Sequence, residues 1–209
     1  PDSIQSYTVA LGRNPPSRVF TFRTASSSSD ALFNVAVVGD MGVNGSSFTI
    51  ASLMNGRYNA TIHVGDVAYA DDFDAGFAPE PSSGRSYEAV YDTFLRAVEN
   101  ISSSVPYHVV PGNHDVSCHV TTDYGCASWQ KNFSALNRLW RMPGFGQRRH
   151  NMWHSFDLGR VHFVSVSTET DFPSAPTQPD TGPIGGAGGG FGDQLGWLRR
   201  DLASAKSRA

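Results

Sequence analysis

Three short loops, each delivered by an apolar run, constrain this chain more than any other feature. They are Gly39-Asp40-Met41-Gly42, Gly65-Asp66-Val67-Ala68-Tyr69 and Gly112-Asn113-His114-Asp115. The runs before them are Val35-Ala36-Val37-Val38, Thr61-Ile62-His63-Val64 and Tyr107-His108-Val109-Val110. Runs that are short, rich in β-branched residues and ended by glycine or proline predict buried parallel strands. Open α/β sheets bind their ligands at the carboxyl ends of the strands. What arrives at that edge is two carboxylates, a phenol, an amide oxygen and an imidazole. Hard oxygen donors on neighbouring loops suit metal ions of high charge.

Asp66 is the natural bridge, because one carboxylate can give an oxygen to each of two cations about 3.5 Å apart. Asp40 would then hold one ion and Asn113, through its amide oxygen, the other. Tyr69 is the most informative residue: a phenol with a pKa of about 10 ionises only at a strongly acidic ion such as ferric iron. His114 directly follows a ligand, so it should lie over the site and could donate a proton to a phosphate oxygen or a leaving group. Each residue also has a plain structural reading. An isolated Gly-Asp after a strand is usually a turn or a helix cap, Tyr69 could be a packed aromatic, and Asn113-His114 could be a turn. Three such loops in order, each after an apolar strand, favour the functional reading.

Along the chain, residues 7–9 and 19–22 read as two strands around a turn-like stretch at 12–16. Two strands alone are marginal in water, so they are either the end of a β-sandwich or edge strands on the main body. Residues 26–30, with Ser26-Ser27-Ser28-Ser29, form a linker. From 31 to about 116, strands alternate with helices at 47–57 and 87–100, the latter with Val90, Phe94, Leu95 and Val98 on one face. Strands separated by helices predict a parallel α/β sheet with right-handed crossovers. A polar, aromatic segment runs to His150, broken at Arg141-Met142-Pro143-Gly144. Strands at 152–157 and 161–167 then turn at Leu158-Gly159-Arg160. The stretches 79–84 and 173–192 read as exposed loops. A final amphipathic helix covers 193–205, with Leu195, Trp197, Leu198 and Leu202 for packing.

The 209 residues allow one large domain, or one domain plus a fragment. A net charge of -3 without a basic stripe argues against nucleic acid as a partner. No apolar run reaches the roughly 18 residues that span a bilayer. Cys118 and Cys126 suggest a local disulfide, which persists in oxidising compartments. Two free thiols or a metal site are the alternatives, although the spacing is not that of a zinc knuckle. Acceptor sequons begin at Asn44, Asn59, Asn100 and Asn132, a modest excess over chance in a chain rich in serine and threonine. Cysteines and sequons together point to a secreted or extracellular protein, cell-wall and vacuolar locations included.

At the three loops the chain resembles a purple acid phosphatase, within the calcineurin-like metallophosphoesterase superfamily. The first three blocks of that family, Gly-Asp-x-Gly, Gly-Asp-x-x-Tyr and Gly-Asn-His-(Asp/Glu), are complete here. The resemblance implies an α/β fold: the N-terminal part of a calcineurin-like β-sandwich flanked by helices, spanning 31–209. Residues 1–25 would be the end of a fibronectin-like β domain, as in plant and fungal members. The resemblance implies that Asp40, Asp66 and Tyr69 bind ferric iron, and that Asp66 and Asn113 bind a divalent partner (iron, zinc or manganese). His114 would assist catalysis. The implied reaction is hydrolysis of phosphate monoesters by a metal-bound hydroxide. The segment from Ser155 to Thr170, with Val161-His162-Phe163-Val164 and Ser167-Thr168-Glu169, also resembles the family's strand after its third block, and Gln194-Leu195-Gly196-Trp197-Leu198 its next helix.

The fourth and fifth family blocks, a Val-x-x-His and a Gly-His-x-His, do not occur here. His63, His108 and His162 lie within apolar strands and read as core or strand-face residues. His119, His150 and His154 lie on polar segments. In the family the missing blocks follow the helix at which this sequence stops, so a C-terminal fragment of the same protein is the expected partner. Rival readings are another hydrolase of the superfamily, such as a phosphodiesterase, or a metal-free, non-catalytic protein that keeps the fold.

Overall fold

A computed structural model describes residues 3–26, 31–43, 45–71, 86–118, 126–144, 150–170 and 191–208. The expected loop at 79–84, most of that at 173–192, most of the linker at 26–30, Asn44 and His119 lie outside these residues. The chain begins with an antiparallel ribbon of β1 (Ile4–Tyr7) and β2 (Phe20–Arg23), pairing Tyr7 with Phe20. The first strand therefore lies earlier than the 7–9 read from sequence. The reason is local: the Val9 amide and carbonyl are taken by the hydroxyl and amide of Ser17 (2.9 and 2.8 Å), which turns the chain away from the ladder.

Next come β3 (Val35–Val38), α1 (Ser47–Asn55), β4 (Ala60–Val64), α2 (Tyr87–Ser102) and β5 (Tyr107–Val110). The three strands form a parallel sheet in the order β3-β4-β5, as the alternation of strand and helix predicts. α2 is the strongest helix. The Ser86 hydroxyl caps it by accepting from Ala89 N–H, and Glu88 sits in the first turn, where the helix dipole favours an anion. Its buried stripe is Tyr87, Val90, Tyr91, Phe94, Val98 and Ile101, the spacing of one helix face. That stripe packs in one core with Ala36 and Val109 of the sheet and Leu53 of α1. The ribbon rests on the far end of α2: Tyr7 hydroxyl donates to the Ser103 carbonyl (3.0 Å), and Arg18 binds the Asn100 side chain (2.8 Å) and Glu99 (3.5 Å). It is thus a separate two-stranded sheet, not an added edge of the main one.

After the disulfide between Cys118 and Cys126, the polar segment contains a 3-10 turn (Ser128–Gln130) and a helix, α3 (Ser134–Leu139). Neither is signalled by the sequence. α3 buries only Ala135 and Leu136, too short a run to show a helical period. The hairpin of β6 (His154–Leu158) and β7 (Val161–Ser165) turns at Gly159 as expected. β7 stops at Ser165, short of 167, because a side chain binds the Ser167 backbone instead (2.7 and 2.8 Å, from Gln194). α4 (Gln194–Arg208) closes the described chain.

The two sheets meet where His108 of β5 stacks on Phe156 of β6, ring centroids 3.7 Å apart. Among the described residues, part of that sheet face is exposed: Val37 is 65% and Val64 53% exposed, although Val110 beside Val64 is buried, whereas the faces of a parallel sheet are normally both covered.

Candidate metal centre

The three loops continue the order of the strands that deliver them. Asp40 N–H donates to the Gly65 carbonyl (3.2 Å), Gly42 N–H to Val67 (3.2 Å) and Gly65 N–H to Val110 (3.1 Å). These bonds carry the sheet's register past its edge and fix the loops side by side. Gly112 allows the closest approach: a Cβ there would run into the Asp66 carboxylate and lie 2.5 Å from the Asp66 amide.

The backbone is unusual where ligands are expected. Asp40, Asp66 and Tyr69 have φ of 52°, 52° and 50°, and they are three of the six non-glycine residues with positive φ among the described residues. Such a conformation costs about 1–2 kcal/mol per residue and persists where the surroundings enforce it. Its result is convergence. The Tyr69 hydroxyl lies 2.8 Å from Asp40 Oδ1 and 3.1 Å from Asp66 Oδ2. A phenol has one proton to donate, so two carboxylates compete for it. Burial, then the bond to Asp40 and the charge of Asp66, push the Tyr69 hydroxyl well above the usual phenol range. Two anions and a polarised phenol oxygen around one point fit a strongly acidic cation, which would displace the shared proton.

The other Asp66 oxygen accepts the His114 amide (3.0 Å). Asn113 opens the same short 3-10 turn (Asn113–Asp115) and is half-buried. The His114 ring sits 4.4 Å from the Tyr69 ring. Its Nδ1 is 2.9 Å from Asp71 Oδ2. With Asp71 ionised, Nδ1–H is the donor, and the ring orientation is set from behind.

Two carboxylates were given no role by the sequence reading, although Asp115 closes the third loop motif. Asp71 is fully buried, and its only signal was an aspartate closing the run Tyr69-Ala70-Asp71. Asp115 is 2% exposed and accepts Val67 N–H (3.2 Å), Gly112 N–H (2.9 Å) and the Tyr91 hydroxyl (3.4 Å). Burial, helped by Asp66 and Asp71 and opposed by the two amides, raises it to about 7. It ties the second loop to the third and both to α2.

The structure brings together Asp40, Asp66, Tyr69 and His114, with Asn113 on the same turn. It places His63, His108 and His154 elsewhere. His63 is buried, its Nδ1 3.0 Å from the Tyr107 hydroxyl, and burial lowers it to about 4. His108 lies between the sheets and is also lowered to about 4 by burial. His154, read as part of a polar segment, is instead fully buried at the start of β6, stacked near His108 and Phe156. Burial of Met152 and Trp153 draws that end of the strand into the core. Among the described residues, no three His, Cys, Asp or Glu side chains group as a metal site; the convergence seen here depends on a phenol. Of the sequon asparagines, Asn59, Asn100 and Asn132 are exposed.

The family model described as calcineurin-like phosphoesterase matches residues 33–184. The chain is 28% identical to an acid phosphatase of Aspergillus ficuum, over 97% of this chain and 49% of that protein. It is 27% identical to purple acid phosphatase 22 of Arabidopsis thaliana, over 95% of this chain and 37% of that one. The chain thus spans about half or less of the length of these relatives. The structure of the purple acid phosphatase PPD1 from yellow lupin seeds superposes with a TM-score of 0.59 at 20% identity, over 90% of this chain and 31% of that one, which shows the shared fold. The chain belongs to the calcineurin-like phosphoesterase family, and its relatives there are acid and purple acid phosphatases.

Proposed function

We propose that the protein hydrolyses phosphate monoesters at a dinuclear centre of ferric iron and a divalent ion (iron, zinc or manganese). The observation that carries this reading is the Tyr69 hydroxyl held between Asp40 and Asp66. Asp40, Asp66 and Tyr69 would hold the ferric ion, and Asp66 and Asn113 the divalent one. When bound, the cations neutralise the phosphoryl oxygens and acidify a water to serve as nucleophile. The chain's own contribution is orientation and proton transfer. Asp71 aims the His114 ring, which in its imidazolium form would donate a hydrogen bond or a proton from Nε2 to the phosphate or leaving-group oxygen. Asp115 keeps the Asp66 and Asn113 loops in register.

The reading extends to the rest of the protein. The exposed part of the sheet face at Val37 and Val64 would be covered by a C-terminal segment of the same protein, which would also complete the ligand set. Residues 31–209 would be the N-terminal part of the catalytic domain, and the ribbon the end of a preceding β domain. The disulfide and exposed sequon asparagines support a secreted glycoprotein, and no helix among the described residues is long and apolar enough to cross a membrane.

The test is visible spectroscopy with metal analysis. The wild type should bind iron and show a phenolate-to-iron band; Tyr69→Phe should remove the band, and Asp66→Ala should remove the metal. An unchanged band in Tyr69→Phe would overturn the assignment. His114→Ala should lower kcat about 10²-fold or more with metal content intact.

A further inference from the structure

The backbone of the segment leaving β7 is held by side-chain hydrogen bonds. Gln194, buried at the start of α4, clamps it from both ends. Its Oε1 accepts Ser167 N–H (2.7 Å), and its Nε2 donates to the carbonyls of Ser167 (2.8 Å) and Thr170 (3.2 Å). The Ser167 hydroxyl accepts Glu169 N–H (3.2 Å). Ser167 and Thr170 are buried, so Thr168 and Glu169 are the side chains left facing outward.

The register shows where this segment lies. Ser165 pairs with His154, so the chain leaves β7 beside Trp153. Trp153 shares a core with Val116, Phe133, Met152 and Phe191, against which Trp197 packs. Val116 is two residues beyond His114, and Trp197 is on the first turn past Gln194. The Glu169 segment therefore stands beside the loop that carries Asn113 and His114. Its half-buried carboxyl is pushed up by burial and by the charge of Asp66, opposed by a hydrogen bond from Thr168. Among the described residues, no Lys, Arg or His forms an ion pair with Glu169.

We infer that Glu169 determines specificity at the phosphate site, its carboxylate selecting against substrates whose leaving group carries further negative charge. This rests on the phosphatase reading above. A carboxylate on a backbone held in this way, beside an anion site, would gain nothing from the phosphoryl group itself, whose charge the cations would meet. It opposes a second phosphate and favours leaving groups that are neutral, cationic or hydrogen-bond donors.

The test compares the metal-loaded wild type with Glu169→Gln, a change that keeps shape and hydrogen bonding while removing charge. The readout is the ratio of kcat/KM for phenyl phosphate to that for pyrophosphate, at low and high salt. At low salt the ratio should fall by about three- to tenfold in the variant, and the difference should shrink at high salt. A ratio unchanged within about twofold, or a change indifferent to salt, overturns the inference. Calorimetric titration with orthophosphate and pyrophosphate supplies the same ratio independently of turnover. A wild type that binds both anions without hydrolysing either substrate overturns the phosphatase reading alone, and the binding ratio still decides the role of Glu169. A wild type that binds neither overturns both.

Discussion

Two acidic clamps hold this molecule together, and they work by different physics. Asp115 is buried behind the candidate centre and collects two backbone amides and a tyrosine hydroxyl from three separate elements. The other clamp lies on the hairpin and α4, closer to solvent. There the His162 ring spans two carboxylates, Nδ1 2.6 Å from Asp157 and Nε2 2.8 Å from Asp201, while Asp201 also accepts the Ser155 hydroxyl (2.7 Å). Contact length alone would rank the His162 clamp as the stronger. Burial reverses the order, because a polar group hidden from water is costly to strand, whereas one near water is rehydrated when its partner leaves.

Asp115→Ala should therefore have the largest effect. It strands two amides and a buried hydroxyl, for a loss of about 3 kcal/mol or more in the unfolding free energy of the metal-free protein. Chemical denaturation measures this. A loss no greater than that of a His162 variant would show that the two clamps do not differ as argued.

Gly112→Ala separates close packing from backbone strain. Its Cβ would strike the Asp66 carboxylate, and overpacking of this kind costs about 1–3 kcal/mol. It should also weaken metal binding, since Asp66 must move. Gly12 is the control: it has φ +58° and open space around it, so Gly12→Ala carries only the left-handed penalty of about 1 kcal/mol and leaves metal binding alone. Equal metal affinity in both variants would show that Gly112 does not position Asp66.

The contrast also explains what the sequence disclosed. The strands β3, β4 and β5 and the ligand candidates were legible because each loop carries its donor beside a glycine at a fixed offset from an apolar run. The convergence of Tyr69 on both carboxylates follows from left-handed backbone at three residues, which no composition rule signals for Asp or Tyr. The Asp71–His114 pair spans 43 positions, and the Asp115–Val67 bond 48; neither belongs to a local period. His154 misled for a related reason: its immediate sequence is polar, and its burial comes from stacking against strand β5. The early position of β1 was set by one hydroxyl, that of Ser17.

The smallest effect should belong to the His162 clamp, and it carries a sign. Asp201, then Asp157, raise His162 above the ordinary imidazole value. A folded-state pKa above the unfolded value of about 6.5 means that the imidazolium is stabilised by folding. That contribution is complete below about pH 6.5 and is lost as pH rises through the folded pKa. His162→Gln should therefore lower Tm at pH 5, by about 1–3 °C for a pair this close to solvent. The gap between wild type and variant should close on the alkaline side and narrow in high salt. A gap that persists unchanged at pH 9 would mean that His162 holds α4 to the hairpin by packing and neutral hydrogen bonds. The clamp near solvent would then obey the same physics as the buried one.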